Sequence, residues 1–144
     1  MVVVMETKIH IYDISTMKIL HTIDTFPNPK GLCAFSPCHK KSYLAYPSSP
    51  GTGDVYLFDT LSLQTVSSVT AHKTSIAVMT ISHDGLLLAT ASEKGTVIRV
   101  HALPNMTKSE SFRRGTYPAG ISSLCFSQGE RYLAAASDTG TVRI

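Results

Sequence analysis

Hydrophobic and polar positions along the chain form short alternating runs closed by turn residues. No window sustains the 3.6-residue apolar period of an amphipathic helix. Lys8–Asp13, Asp54–Asp59, Thr96–His101 and Thr141–Ile144 share one pattern, a strand rich in β-branched residues that mostly ends in a polar residue. Aligned at Ile9, Val55, Val97 and Val142, they recur at intervals of 46, 42 and 45 residues. Cys33–Pro37, Met79–His83 and Leu124–Gln128 form a second series with similar spacing. Tyr43–Tyr46, Leu87–Thr90 and Tyr132–Ala135 form a third. His83-Asp84-Gly85, Lys94-Gly95 and Thr139-Gly140 supply the turn chemistry between them.

Three or four short strands in a period of about 40 to 45 residues are the signature of a WD40-type blade. The fold expected is therefore all-β, a partial β-propeller of about three blades. The repeat divides the chain into the end of one blade (1–27), a second blade (28–72), a third (73–117) and an incomplete fourth (118–144). Tyr12-Asp13 and Phe58-Asp59 stand where the repeat would carry Trp-Asp. The chain starts at what reads as the third strand of a repeat and stops midway through another, so it is expected to be a segment of a longer chain. Propellers protect their sheet edges by closure. Alone, this segment is expected to expose apolar faces and to aggregate or depend on a partner.

At 144 residues and 43% hydrophobic content the chain can bury a core. A formal charge of +3 is too small for a dedicated DNA-binding protein but allows a local basic patch. Cys33, Cys38 and Cys125 lack CxxC spacing; Cys33 and Cys125 lie in apolar runs and read as core residues of a reduced compartment. Val2-Val3-Val4 is too short for a signal peptide or a membrane span. Met5, Met17, Met79 and Met106 form no stripe and read as packing residues, and 47–53 reads as an enlarged hairpin loop.

The chemistry concentrates in the C-terminal half. In the third-strand series Arg99 falls in the slot of Ile11 and Leu57, so an aliphatic face is expected to have gained a guanidinium. An unpaired buried charge costs several kcal/mol, so Arg99 must reach water, a carboxylate or an anionic ligand. Thr90, Ser92, Gly95 and Thr96 surround it in sequence, and the next repeat offers Ser137, Thr141 and Arg143. Hydroxyls, a glycine backbone and guanidiniums suit a phosphate; the same residues also make ordinary turns. Between the two runs lies Phe112-Arg113-Arg114-Gly115. Neighbours in an extended segment point to opposite sides, so Arg113 and Arg114 are expected to serve two separate anionic sites.

With these residues in place the chain resembles the PROPPINs, β-propellers that bind polyphosphoinositides and act in autophagy, whose hallmark is an L/FRRG motif. The likeness extends to Asn28–Cys33, Ala71–Ile76, Ala91–Val100 and Ile121–Leu124. It implies a seven-bladed parent in which this chain runs from late blade three into blade six. It also implies two rim pockets for phosphatidylinositol 3-phosphate and phosphatidylinositol 3,5-bisphosphate. Thr90, Ser92, Gly95, Thr96, Arg99 and Arg113 would form the first pocket. Arg114, Gly115, Ser137, Thr141 and Arg143 would form the second. His72 would either border the first pocket or hold a structural hydrogen bond. The family's membrane-inserting loop would follow the strand where this chain ends.

The resemblance makes the protein a cytosolic binding module recruited to preautophagosomal, endosomal or vacuolar membranes, with phosphoinositide headgroups and autophagy proteins as partners. A generic WD-repeat scaffold without lipid binding is the alternative. No nucleophile–base constellation, glycine-rich loop before a helix or paired carboxylates mark an enzyme, and no cofactor, metal or small-molecule substrate is expected. The aromatic residues do not interleave with the basic ones as a nucleic-acid site requires.

Overall fold

The computed structural model describes residues 1–144 apart from the side chain of Arg143. Every regular element is a β-strand, and all pairings are antiparallel. The first sheet has β1 (Val2–Val4), β2 (Lys8–Asp13) and β3 (Lys18–Asp24) in that order. The second is a meander of β4 (Ala34–Phe35), β5 (Tyr43–Pro47), β6 (Gly53–Asp59) and β7 (Gln64–His72). The third repeats it with β8 (Ile76–Ile81), β9 (Leu87–Ser92), β10 (Val97–Ala102) and β11 (Ser109–Arg113). The fourth has β12 (Ile121–Phe126), β13 (Leu133–Ser137) and β14 (Val142–Arg143).

Consecutive sheets pack face to face, and small residues allow the approach. Ala45, Val55 and Leu57 of the second sheet meet Ile76, Met79, Ile81 and Leu88 of the third. Ala89, Ala91 and Ile98 of the third meet Ile121, Leu124, Phe126 and Ala135 of the fourth. Ile9 and Ile11 of the first meet Leu44, Tyr46 and Phe58 of the second. The third sheet is thus packed on both faces, which explains the near-continuous apolar stretch Leu87–Ala91 of β9 where a one-sided sheet would alternate.

Several expectations need correction. The chain begins one strand earlier than the third-strand reading: Val2–Val4 pairs with Ile9–Ile11 and occupies the place of β5 and β9 in the later sheets. Cys125 is exposed, because it alternates with Leu124 and Phe126 and faces away from the third sheet. Met79 and Met106 are buried, whereas Met5 and Met17 are exposed.

The slot assigned to Arg99 also changes. Leu57 lies across from Ala45, as Val100 lies across from Ala89. Arg99 lies across from Thr90, as Tyr56 does from Tyr46 and His10 from Val3. Arg99 therefore shares its position with Tyr56 and His10, not with Leu57 and Ile11. The β5–β6 connection holds one residue more between equivalent ladder pairs than β9–β10 does. A slip of one residue moves a side chain to the opposite face.

Candidate functional site

The site is built around β9, β10 and the hairpin between them. Thr90, in the middle of β9, is fully buried, and its hydroxyl shares a 3.0 Å hydrogen bond with His72 Nε2 at the end of β7. Arg99, across the ladder from Thr90, donates from Nη1 to the backbone carbonyl of Ala71. The same residue is flanked on its other side by Ser111 of β11. Two residues on, along the same face, stands His101, which is 2% exposed and has no partner for either ring nitrogen among the described residues.

These histidines are held neutral. Burial pushes the His72 pKa down to about 4; the Thr90 hydrogen bond opposes this, and the nearby Arg99 and His101 charges add to it. Burial, then the Arg99 charge, lowers His101 in the same direction. Arg99 is therefore the charged member of this group near pH 7.

The hairpin turn is shaped by Gly95, which has φ +68° and whose added Cβ would lie 1.7 Å from the Ala119 carbonyl oxygen. Only glycine tolerates both conditions. Gly95 N donates to Ser92 O at 3.0 Å, and Ala119 N donates to Lys94 O at 3.1 Å, tying the turn to the segment entering β12. The side chains of Ser92 and Thr96 are buried beside this turn.

Arg113 ends β11 opposite Val97, on the face that carries Arg99, and is exposed. Arg114 extends the ladder by one bond, its N–H donating to Thr96 O at 2.8 Å. Its guanidinium donates from Nε to Gly95 O at 2.5 Å and from Nη2 to Tyr117 O at 2.6 Å. Both arginines border a groove of about 710 Å³, with Phe112, Arg131 and Glu110 among its walls. Gly115 is half-buried with open space beside its Cα.

In the fourth sheet Ser137 is buried, and its hydroxyl lies 2.9 Å from Thr141 Oγ1. Thr139, which the sequence reading left out, completes a hydroxyl triangle, 2.7 Å from Ser137 and 3.0 Å from Thr141. Arg143 has backbone pairing opposite Ala135; its side chain lies outside the described residues.

The predicted residues thus gather in three groups. Thr90 and Arg99 join His72, with Arg113 further out on the same face. Ser92, Gly95 and Thr96 make the hairpin to which Arg114 is bonded. Ser137 and Thr141 form a separate cluster. The carbonyls of Ala71 and Tyr117 and the ring of His101 carry no sequence signal of their own. Thr139 stands where the previous repeat has Lys94, so its chemistry was readable from the turn.

Antiparallel meander sheets of three and four strands packed face to face, with a double-arginine segment ending an outer strand, define a partial WD-type β-propeller. The PROPPIN family model matches residues 1–144, and the chain belongs to that family. It is similar to autophagy-related protein 18 of Dictyostelium discoideum, at 56% identity over 99% of this chain and 38% of the relative. Autophagy-related protein 18 of Mycosarcoma maydis is 48% identical over 100% of this chain and 36% of its own length. The chain thus spans little more than a third of these relatives.

Among solved structures, the complex of KlAtg21 with the coiled-coil of AgAtg16 matches with a TM-score of 0.81 and 32% identity. That match covers 98% of this chain and 47% of the other. Kluyveromyces lactis Hsv2 matches with a TM-score of 0.83 and 26% identity, covering 98% and 44%.

Proposed function

We propose that this chain is part of a phosphoinositide effector that binds 3-phosphorylated inositol lipids and serves as an adaptor in autophagosome formation. The reading joins family membership to one geometric observation: Arg113 stands exposed at the end of β11 on the face that holds Arg99 and buried Thr90. A phosphate there would receive charge-assisted hydrogen bonds, and the negative potential of the membrane surface would add to its attraction. Thr90, Ser92, Gly95, Thr96, Arg99 and Arg113 are the residues proposed for one headgroup. Arg114, Gly115, Ser137, Thr141 and Arg143 are proposed for the other. Autophagy proteins are the proposed partners, as the relatives' names and the coiled-coil in the KlAtg21 complex suggest. The proposed location is cytosolic, with recruitment to preautophagosomal, endosomal or vacuolar membranes.

Flotation with phosphatidylcholine vesicles, with and without phosphatidylinositol 3-phosphate, tests this. The unaltered chain should float only with the phosphorylated lipid, and the Arg113→Thr, Arg114→Thr double variant should stay behind. Undiminished flotation of the variant would overturn the reading.

One observation favours a second reading, a WD-repeat scaffold that does not bind lipid. Two donors of Arg114 are committed to the Gly95 and Tyr117 carbonyls, which is how a structural arginine behaves. Under that reading Arg114→Thr lowers the melting temperature while vesicle binding is absent in every variant.

A further inference from the structure

Two serines in this chain precede a proline, in Ser36-Pro37 and Ser49-Pro50. Proline at that place suits a kinase cleft that offers no acceptor to the next backbone N–H, because proline has none to leave unpaired. Both dipeptides carry this mark in sequence, and the fold separates them.

Ser36 is withdrawn from any enzyme. It lies just after β4 and is 3% exposed; its N–H donates to Tyr43 O at 2.8 Å and its Oγ accepts from Cys38 N at 3.2 Å. A turn of the neighbouring third sheet covers it: a Cβ added at Gly85 would stand 3.0 Å from Ser36 Oγ. Reaching this hydroxyl means parting two packed sheets.

Ser49 lies in the loop between β5 and β6, beyond the bond from Ser48 N to Asp54 O at 2.9 Å. It is half-buried, and Pro50 and Gly51 after it are exposed. Hydroxyl groups alone hold the tip. Ser49 Oγ and Thr52 Oγ1 share a 3.0 Å hydrogen bond, Thr52 Oγ1 also reaches Ser49 O at 3.2 Å, and Gly51 N donates to Ser75 Oγ at 3.0 Å. None of these is a ladder bond, so the tip can open while the sheet stays intact. Pro50 also biases Ser49 toward the extended backbone that a kinase cleft takes. Ser49 and Pro50 line a cavity of about 190 Å³ whose charged lining residues are Lys30 and Glu93, both exposed.

We infer that Ser49 is a phosphoacceptor for a proline-directed kinase, and that its phosphate turns this balanced surface acidic. In the transfer the γ-phosphoryl of ATP bonds to Ser49 Oγ as its bond to ADP breaks, and the hydroxyl proton passes to the kinase's base. The new group brings a charge of about −1.5 to −2 at neutral pH. Lys30 and Glu93 contribute one charge of each sign, so the phosphate decides the sign of the surface.

The test incubates the full 144-residue chain with magnesium, ATP and a mitogen-activated protein kinase, and maps the phosphate by mass spectrometry. A peptide of residues 31–54 serves as the unfolded control, in which both serines are free to react. The folded chain should gain one phosphate, at Ser49. Ser36→Ala should gain it at the same rate, and Ser49→Ala should gain none. A chain left unmodified at Ser49 under conditions that modify the peptide there would overturn the inference. So would transfer to Ser36 in the folded chain at a rate comparable with Ser49.

Discussion

Acidification from pH 7.5 to 5 should destabilise the fold through His72 before most carboxylates titrate. In the unfolded chain the imidazole has a pKa near 6.5; in the fold it is pushed down to about 4 by burial beside Arg99 and His101. A lowered histidine pKa means that the unfolded state binds the proton more tightly. The stabilising difference is complete above pH 6.5 and is lost as pH falls toward 4. Linkage between those two values gives a loss of about 2 kcal/mol between pH 7.5 and 5. With a urea m-value of about 1–3 kcal/mol/M, the unfolding midpoint should fall by about 1 M. His101 is shifted in the same direction and deepens the loss. Urea titrations of the unaltered chain and of His72→Gln at both pH values measure this. Glutamine cannot take up the proton, so the variant should lose markedly less stability on acidification. An equal loss in both proteins would refute the argument, since the proton would then be taken up elsewhere.

Gly95→Ala should cost about 3 kcal/mol, combining left-handed strain with displacement of the Ala119 carbonyl. Gly140→Ala, at φ +78° with open space, should cost only about 1 kcal/mol from conformation alone; equal urea midpoints for the two variants would remove the steric part of the claim. Asn28→Ala breaks two bonds to the Leu32 backbone, Nδ2 to O at 2.9 Å and N to Oδ1 at 3.0 Å, and should cost about 1–2 kcal/mol by the same titration. Arg114→Thr should lower the melting temperature by several degrees and Arg113→Thr should leave it unchanged, because among the described residues Arg114 alone of the pair has its guanidinium bonded to backbone carbonyls; equal effects in differential scanning calorimetry would count against that asymmetry.

The architecture was legible because period and alternation are properties of the chain itself. Recurrence of Ser-x-x-Gly turns and of Leu-Ala pairs is enough to put β9 and β13 in equivalent places. The first strand escaped because Val2–Val4 has no turn signal before it, and three valines alternate with nothing. The exposure of Cys125 escaped for a different reason. Its apolar surroundings indicate a strand, but which face is covered depends on whether another sheet follows. That is a property of the assembly and not of β12.

The site was legible in its residue types and less so in its register. Hydrophobic identity aligned Val55 with Val97 and so placed Arg99 among aliphatic residues. The ladder pairs instead align Tyr56 with Arg99 and Phe58 with His101. This one-residue offset sets the electrostatics of the group. In sequence, His101 takes the strand-end place held by Asp13 and Asp59, where a histidine would be solvated and free to titrate. In the fold it fills an aromatic packing position between sheets, loses its water and stays neutral. Arg99 then stands beside two uncharged rings at neutral pH. Their dipoles cannot cancel its attraction for an anion, and their protonation would add positive charge to a place that already holds one. Stability in acid and the field at the candidate site are thus two readouts of the same packing. A His101→Phe variant should separate them by keeping the shape, removing one titrating ring and leaving Arg99 where it is.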